Sequence, residues 1–177
     1  MERTKEKTIL LPRYDVSFKS LFKSAESAPV TEGFLKAMLG LPEHEKLIDI
    51  QLRDPELLPQ DEEGKLSIVD ALFGLPGGER VIVEMMHYRY PAAREHLVHK
   101  WARVASGQLA RGQSYGDFRR VVLVAILEHN IIGDPHWIHR YEIYDRKRQS
   151  RFTNLLDFAI IDYPNKNKIQ TLLQDTA

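Results

Sequence analysis

Two carboxylates inside apolar segments are the residues of this sequence best suited to chemistry. Asp70 lies in the run Ser-Ile-Val-Asp-Ala-Leu-Phe, and Glu84 lies in the run Val-Ile-Val-Glu-Met-Met. A carboxylate among apolar side chains is costly to bury unless a partner compensates its charge. A divalent cation between two such groups relieves their repulsion, and Mg²⁺ prefers one or two carboxylates plus water and phosphate oxygens. The residues alone leave two interpretations open: a metal site, or carboxylates that face solvent or pair with Arg or Lys.

The segments around these carboxylates are predicted to be strands of one sheet. Residues 47–52 alternate between apolar and polar side chains, which indicates a first strand. Residues 66–73 form the second predicted strand and residues 80–86 the third, with the turn Leu75-Pro76-Gly77-Gly78 between them. A Pro-Gly-Gly turn between two such runs predicts a hairpin, in which the carboxylates of adjacent strands can meet.

Helices and further strands surround this predicted hairpin. Apolar residues at 34, 35, 38 and 39, followed by Gly40, predict an amphipathic helix. A second, longer helix is predicted from Pro91 to about Gly112, and residues 121–127 form a continuous apolar strand. Two more strands are predicted at residues 137–144 and 155–161. This order predicts an α/β protein with one mixed sheet and helices packed on it.

Composition limits the classes of protein that fit. The 177 residues suit one domain, which we place at residues 14–163, between a charged arm (1–13) and a polar tail (164–177). With no cysteine, thiolate metal sites and disulfides are excluded. No run approaches the ~20 apolar residues of a membrane span, and we predict a cytoplasmic protein without membrane contact. The 25 basic residues balance 25 acidic ones, which argues mildly against non-specific nucleic-acid binding.

Several short motifs occur in an order typical of one family. An Asp in one strand, a turn, and then Glu-x-(Lys/Gln) in the next strand is similar to the PD-(D/E)XK nuclease signature. The accompanying segments are Tyr14-Asp15-Val16-Ser17-Phe18-Lys19-Ser20-Leu21-Phe22, Phe34-Leu35-Lys36-Ala37-Met38-Leu39, Val83-Glu84-Met85-Met86, Arg94, and Gln108-Leu109-Ala110-Arg111-Gly112-Gln113-Ser114-Tyr115. Together they resemble the recombination-promoting nuclease/putative transposase family of the PD-(D/E)XK superfamily, over about residues 15–157.

The resemblance implies a fold and an activity. The fold is a restriction-endonuclease-like mixed β-sheet flanked by helices, with the core order α-β-β-β-α-β. The implied activity is metal-dependent DNA endonuclease activity associated with recombination, in which Asp70 and Glu84 hold Mg²⁺ or Mn²⁺ and phosphodiester bonds are hydrolysed. Asp15 is a further catalytic candidate by this resemblance, although a helix cap or a surface charge also accounts for an Asp at this position.

One motif position departs from the family pattern. Met86 stands where the motif has Lys or Gln, and a thioether has no N–H group to orient a water or a phosphoryl oxygen. Met86 shares a strand face with Glu84, and Lys65 or Gln51 are candidates to supply the missing group. Loss of one such group commonly costs about a hundredfold or more in rate. The alternative function is therefore a catalytically silent DNA-binding or protein-interaction domain that keeps the nuclease fold.

Basic residues outside the motif are candidates to contact DNA phosphates. The alternative is a solvated charged surface, since Asp145 adjoins the basic run that follows it. DNA is the predicted partner, and a homodimer is a further prediction. The candidate DNA-binding residues are Arg94, Lys100, Arg103, Arg111, Arg146, Lys147 and Arg148.

Overall fold

The computed structural model describes residues 22, 27–44, 47, 50–53, 56–57, 67–87, 91–129, 131–133 and 136–162. Two helices, a short 3₁₀ helix and eight strands lie in this part of the chain. In chain order they are α1 (Ala28–Leu39), β1 (Gln51–Arg53), β2 (Glu56–Leu57), β3 (Ser67–Ile68), β4 (Ala71–Gly74), β5 (Arg80–Met86), α2 (Ala93–Ser106), the 3₁₀ helix (Tyr115–Asp117), β6 (Val121–Leu127), β7 (Ile138–Tyr144) and β8 (Arg151–Asp162).

Six of the strands form one mixed sheet in the order β1-β4-β5-β6-β8-β7. Strands β1, β4 and β5 are antiparallel neighbours, β5, β6 and β8 run parallel, and β7 closes the other edge antiparallel to β8. Strands β2 and β3 form a separate two-stranded sheet. Strands β5 and β6 are parallel because helix α2 connects them as a crossover, which returns the chain to the end of the sheet where β5 began.

In the described part of the chain, α1 packs on one face of the sheet and α2 on the other. Strand β6 is apolar throughout, and its alternate side chains point to opposite faces. Val122 and Val124 belong to the cluster that includes Leu35 of α1. Leu123 belongs to the cluster that includes Leu97 of α2. Burial on both faces explains why this strand reads as a continuous apolar run rather than as an alternating one.

The mixed α/β sheet predicted from the sequence is confirmed, with three local corrections. The predicted first strand (47–52) is short, because among the described residues only Gln51–Arg53 pair with β4, and Leu47 and Ile50 lie outside the strand. The predicted second strand (66–73) is interrupted, because the chain bends at Asp70 between β3 and β4. The predicted long helix ends at Ser106 and not near Gly112. The amide of Gln108 hydrogen-bonds the backbone of Arg119, which fixes residues 107–120 as a connection across the end of the sheet.

The predicted hairpin and the first helix agree with the structure. Strands β4 and β5 pair antiparallel across the Pro-Gly-Gly turn, where Gly78 has a positive φ of 84°. Helix α1 ends at Gly40, whose φ of 69° is the left-handed conformation that favours glycine after a helix. Within the described residues, neither helix combines the length and apolar character needed to cross a bilayer.

Candidate metal and nuclease site

Asp70 and Glu84 lie side by side at one end of the strands, where β4 begins and β5 approaches its carboxyl end. Ala71 pairs with Val83 in the β4–β5 hairpin, so the next pair of the same register is Asp70 with Glu84. The backbone N–H of Asp70 donates to Glu84 Oε1 at 3.1 Å, and the backbone N–H of Met85 donates to Asp70 Oδ2 at 2.8 Å. Each carboxylate therefore accepts a hydrogen bond from the strand that carries the other, which fixes both groups on neighbouring strands.

A lysine from the opposite layer completes this group. Lys100 of α2 donates from Nζ to Glu84 Oε2 at 2.5 Å. Lys100 is 6% exposed and Glu84 is 2% exposed, so the ion pair is buried. Lys100 lies one helical turn from both Leu97 and Val104, on the buried stripe that α2 packs against the sheet. A lysine within an apolar helical stripe is the sequence signal that identifies this residue as a partner of a buried carboxylate.

Burial and neighbouring charges set the protonation of Glu84. The pKa of Glu84 is raised from 4.5 to about 7, mainly by burial, and the negative charge of Asp70 contributes to this rise. The ammonium of Lys100 acts in the opposite direction and limits the rise of this pKa. Glu84 is therefore poised to lose its proton near neutral pH, where a bound cation competes directly with a proton.

Met86 faces the same helix as Glu84. Residues two apart on a strand share a face, and Met86 packs against the apolar cluster that contains Leu97 and Val104 of α2. The motif position that lacks its Lys or Gln is thus covered by the helix that carries Lys100. Of the two candidates named from the sequence for this role, Lys65 lies outside the described residues. Gln51 lies in β1 and pairs with Gly74, at the end of β4 away from Asp70.

The donor set fits a small oxygen-binding divalent cation. Within the described ranges, no group of three or more His, Cys, Asp or Glu side chains is placed to hold a metal, and Asp70 with Glu84 is a pair of carboxylates. Asp70 Oδ1 has no hydrogen-bond partner in this part of the chain, and each carboxylate oxygen has a second lone pair. Mg²⁺ takes one or two carboxylates and completes its shell with water and phosphate oxygens.

Two histidine–carboxylate contacts lie at the same end of the strands and were not predicted from the sequence. His87 Nδ1 is 3.5 Å from Glu128 Oε1, directly beyond the ends of β5 and β6. His139 Nε2 is 3.7 Å from Asp162 Oδ2 at the end of β8. Burial raises the pKa of Asp162, and His139 opposes that shift. Strand register brings these side chains together, and their spacing in the sequence carries no signal of it.

The other predicted site residues are dispersed. Asp15 lies outside the described residues. Arg94 is exposed at the start of α2 and donates to the carbonyl of Ile131 at 2.8 Å, beside the loop that follows β6. Arg103 is half-buried near the other end of α2, and Arg111 is exposed in the connection after it. Of the predicted DNA-binding residues, Lys100 is the one that contacts the carboxylate pair, and it lies beneath the surface.

The remaining basic residues lie far from the carboxylates. Arg146, Lys147 and Arg148, here called the basic turn, are exposed between β7 and β8. The Asp145 carboxylate accepts from the backbone N–H groups of Lys147 and Arg148, each at 2.8 Å. Through β6, Glu84 is level with Ile160 in β8. The basic turn lies beyond the start of that strand, about 30 Å away at ~3.3 Å per residue.

The fold and the acidic pair define the class of protein. A mixed sheet between two helices, with an Asp and a Glu on adjacent strands at one edge, matches the restriction-endonuclease-like architecture expected from the sequence. The profile of the PD-(D/E)XK nuclease family transposases matches residues 12–176, and the chain belongs to this family. The family carries a nuclease-type function on DNA, and PD-(D/E)XK nucleases generally use divalent metals. No curated protein matches the chain.

Proposed function

We propose that the protein is a metal-dependent DNA endonuclease in which Asp70 and Glu84 bind Mg²⁺ or Mn²⁺. One observation carries the proposal: two carboxylates, one of them almost fully buried, are held together on adjacent strands by reciprocal backbone hydrogen bonds. Such a pair is costly to keep in an apolar sheet, and a cation between the carboxylates offsets that cost. The family match supplies DNA as the substrate class.

The residues of the site have separable roles in phosphodiester hydrolysis. A bound divalent cation supplies Lewis-acid polarisation of a phosphate oxygen and a lowered pKa for a bound water. Asp70 offers its Oδ1 as a ligand, while its Oδ2 stays on the Met85 amide and fixes the carboxylate plane. Glu84 offers its remaining lone pairs from a rigid strand. In the reaction a water oxygen bonds to phosphorus while the bond from phosphorus to one sugar oxygen breaks.

Contacts to DNA complete the proposal. Arg94 is exposed at the start of α2 and donates to the carbonyl of Ile131, which supports it as a candidate contact to the phosphate backbone. The basic turn and Arg111 are exposed cations farther along the molecule, where they suit non-specific phosphate contacts. A catalytic contribution from Asp15, a homodimer and a cytoplasmic location stay predictions.

Plasmid nicking tests the proposal. Purified protein should nick supercoiled DNA with Mg²⁺ or Mn²⁺ and not with EDTA. Glu84→Gln should reduce nicking at least a hundredfold, because it removes a ligand charge, and DNA affinity in EDTA should change less than threefold. Glu43→Gln is the matched control, since Glu43 is exposed on the α1 side of the molecule. It should nick like the wild type.

A second candidate function rests on Met86. If the wild type binds DNA but never nicks it with either metal, the endonuclease proposal fails. The catalytically silent DNA-binding or interaction domain then becomes the better description, because the motif position beside Glu84 has no hydrogen-bond donor.

A further inference from the structure

We propose that Lys100 supplies from helix α2 the ammonium group that the motif position on β5 lacks. The inference rests on the endonuclease activity proposed above and assigns one further residue to its site. In the motif, the Lys or Gln stands two residues after the Glu and on the same strand face, which is where Met86 lies. Helix α2 covers that face, and its Lys100 reaches Glu84 Oε2 at 2.5 Å.

The geometry leaves Lys100 with unused hydrogen-bonding capacity. A lysine ammonium carries three N–H donors, and one of them is engaged by Glu84. Within the described part of the chain, Lys100 Nζ has no further partner. The two remaining donors lie beside the Glu84 carboxylate, which is one of the proposed metal ligands. There they can orient a water or stabilise a phosphoryl oxygen.

A purely structural role does not explain this arrangement well. Replacing a buried ion pair by well-packed apolar side chains is often neutral or stabilising, so stability alone gives weak reason to keep both charges. Lys100 also lies among residues that are apolar at the equivalent stripe positions, Leu97 and Val104. A charged pair at this position is better explained by a chemical use of the ammonium group.

Moving the lysine tests the inference. Lys100→Met should lower Mg²⁺-dependent nicking about a hundredfold or more, while DNA affinity in EDTA stays within threefold of the wild type. The double variant Met86→Lys/Lys100→Met places an ammonium at the motif position and should nick at least tenfold faster than Lys100→Met. Lys36→Met is the matched control, because Lys36 is also a helix lysine paired with a glutamate, Glu32, at 2.9 Å on the other side of the sheet. It should nick at the wild-type rate.

Metal binding gives a readout that does not depend on activity. Lys100→Met removes a positive charge beside the ligands, which favours Mn²⁺, with its two charges, more than it favours the single proton that competes for Glu84. At the same pH, Mn²⁺ should therefore bind the variant at least as tightly as it binds the wild type. A collapse of Mn²⁺ binding in folded Lys100→Met would overturn the inference, because the lysine would then serve to hold Glu84 in place. Circular dichroism checks folding, and Lys100→Arg, which keeps the charge, should fold but nick at least tenfold more slowly.

Other outcomes separate this inference from the proposed function. A wild type that nicks, with Lys100→Met within threefold of Lys36→Met, overturns the role of Lys100 and leaves the endonuclease intact. The same holds if the double variant folds and stays as slow as Lys100→Met. A wild type that does not nick with either metal overturns both.

Discussion

Removal of the Lys100 ammonium should make the stability of the protein depend on pH in a new range. In the folded wild type the pKa of Glu84 is about 7 against 4.5 in an unfolded chain, so the folded state holds a proton that the unfolded state has released between these values. The contribution of Glu84 to the free energy of unfolding is greatest below pH 4.5, decreases as the pH rises toward 7, and no longer changes above that pH.

The magnitude in Lys100→Met follows from the loss of the one cation that lowers this pKa. With burial and Asp70 left to act, the pKa of Glu84 rises above its wild-type value, so the folded variant keeps a proton at pH values where the wild-type carboxylate is ionised. At ~1.4 kcal/mol per pH unit, the extra loss of stability in the variant between pH 7 and 8.5 is about 2 kcal/mol at most. At pH 5.5 Glu84 is protonated in both proteins, and this part of the difference vanishes.

Urea unfolding in EDTA at pH 5.5 and 8.5 measures the effect without bound metal. The loss of stability in Lys100→Met should be greater at the higher pH, by up to about 2 kcal/mol. Glu84→Gln/Lys100→Met has no carboxyl group at position 84 and should show no such increase. Lys36→Met breaks the half-buried pair with Glu32 and should lose the same amount at both pH values. An equal loss for Lys100→Met at both pH values would refute the assignment of the raised pKa to Glu84 and its restraint to Lys100.

Further predictions concern the metal, the core and the basic turn. Because a proton and Mn²⁺ compete for Glu84, Mn²⁺ affinity measured by calorimetry should fall by up to about tenfold per pH unit below 7, and equal affinities at pH 5.5 and 7.5 would contradict this. Leu35→Ala, at a fully buried position of α1, should destabilise the fold by about 2–5 kcal/mol in urea unfolding, against less than about 0.5 kcal/mol for Val30→Ala on the exposed side of the same helix. Neutralising the basic turn should weaken DNA binding and flatten its salt dependence, with the nicking rate at saturating DNA unchanged; a lower saturated rate would contradict its distance from the carboxylates.

Much of the fold could be predicted because it depends on local pattern. The apolar run of β6 predicted a strand buried on both faces, and Gly40 marked the end of α1. The predictions failed where tertiary contacts overrode that pattern. The bend at Asp70 interrupts an apolar run, since the Asp70 carboxylate and backbone both bond to β5. The end of α2 was misplaced because Gln108 bonds to Arg119, which lies eleven residues further along.

Part of the candidate site could likewise be predicted from the sequence, and part depended on tertiary packing. From the sequence alone, the hairpin turn indicated that Asp70 and Glu84 can meet on adjacent strands, and Met86 marked the position where a donor is missing, because strand geometry and residue chemistry are local properties. The tertiary structure decided that Lys100 is the cation beside Glu84. From the sequence, Lys100 was a candidate to contact DNA phosphates. Its actual partner could not be predicted, because it depends on which face of the sheet α2 covers, and that choice is made by packing the whole chain.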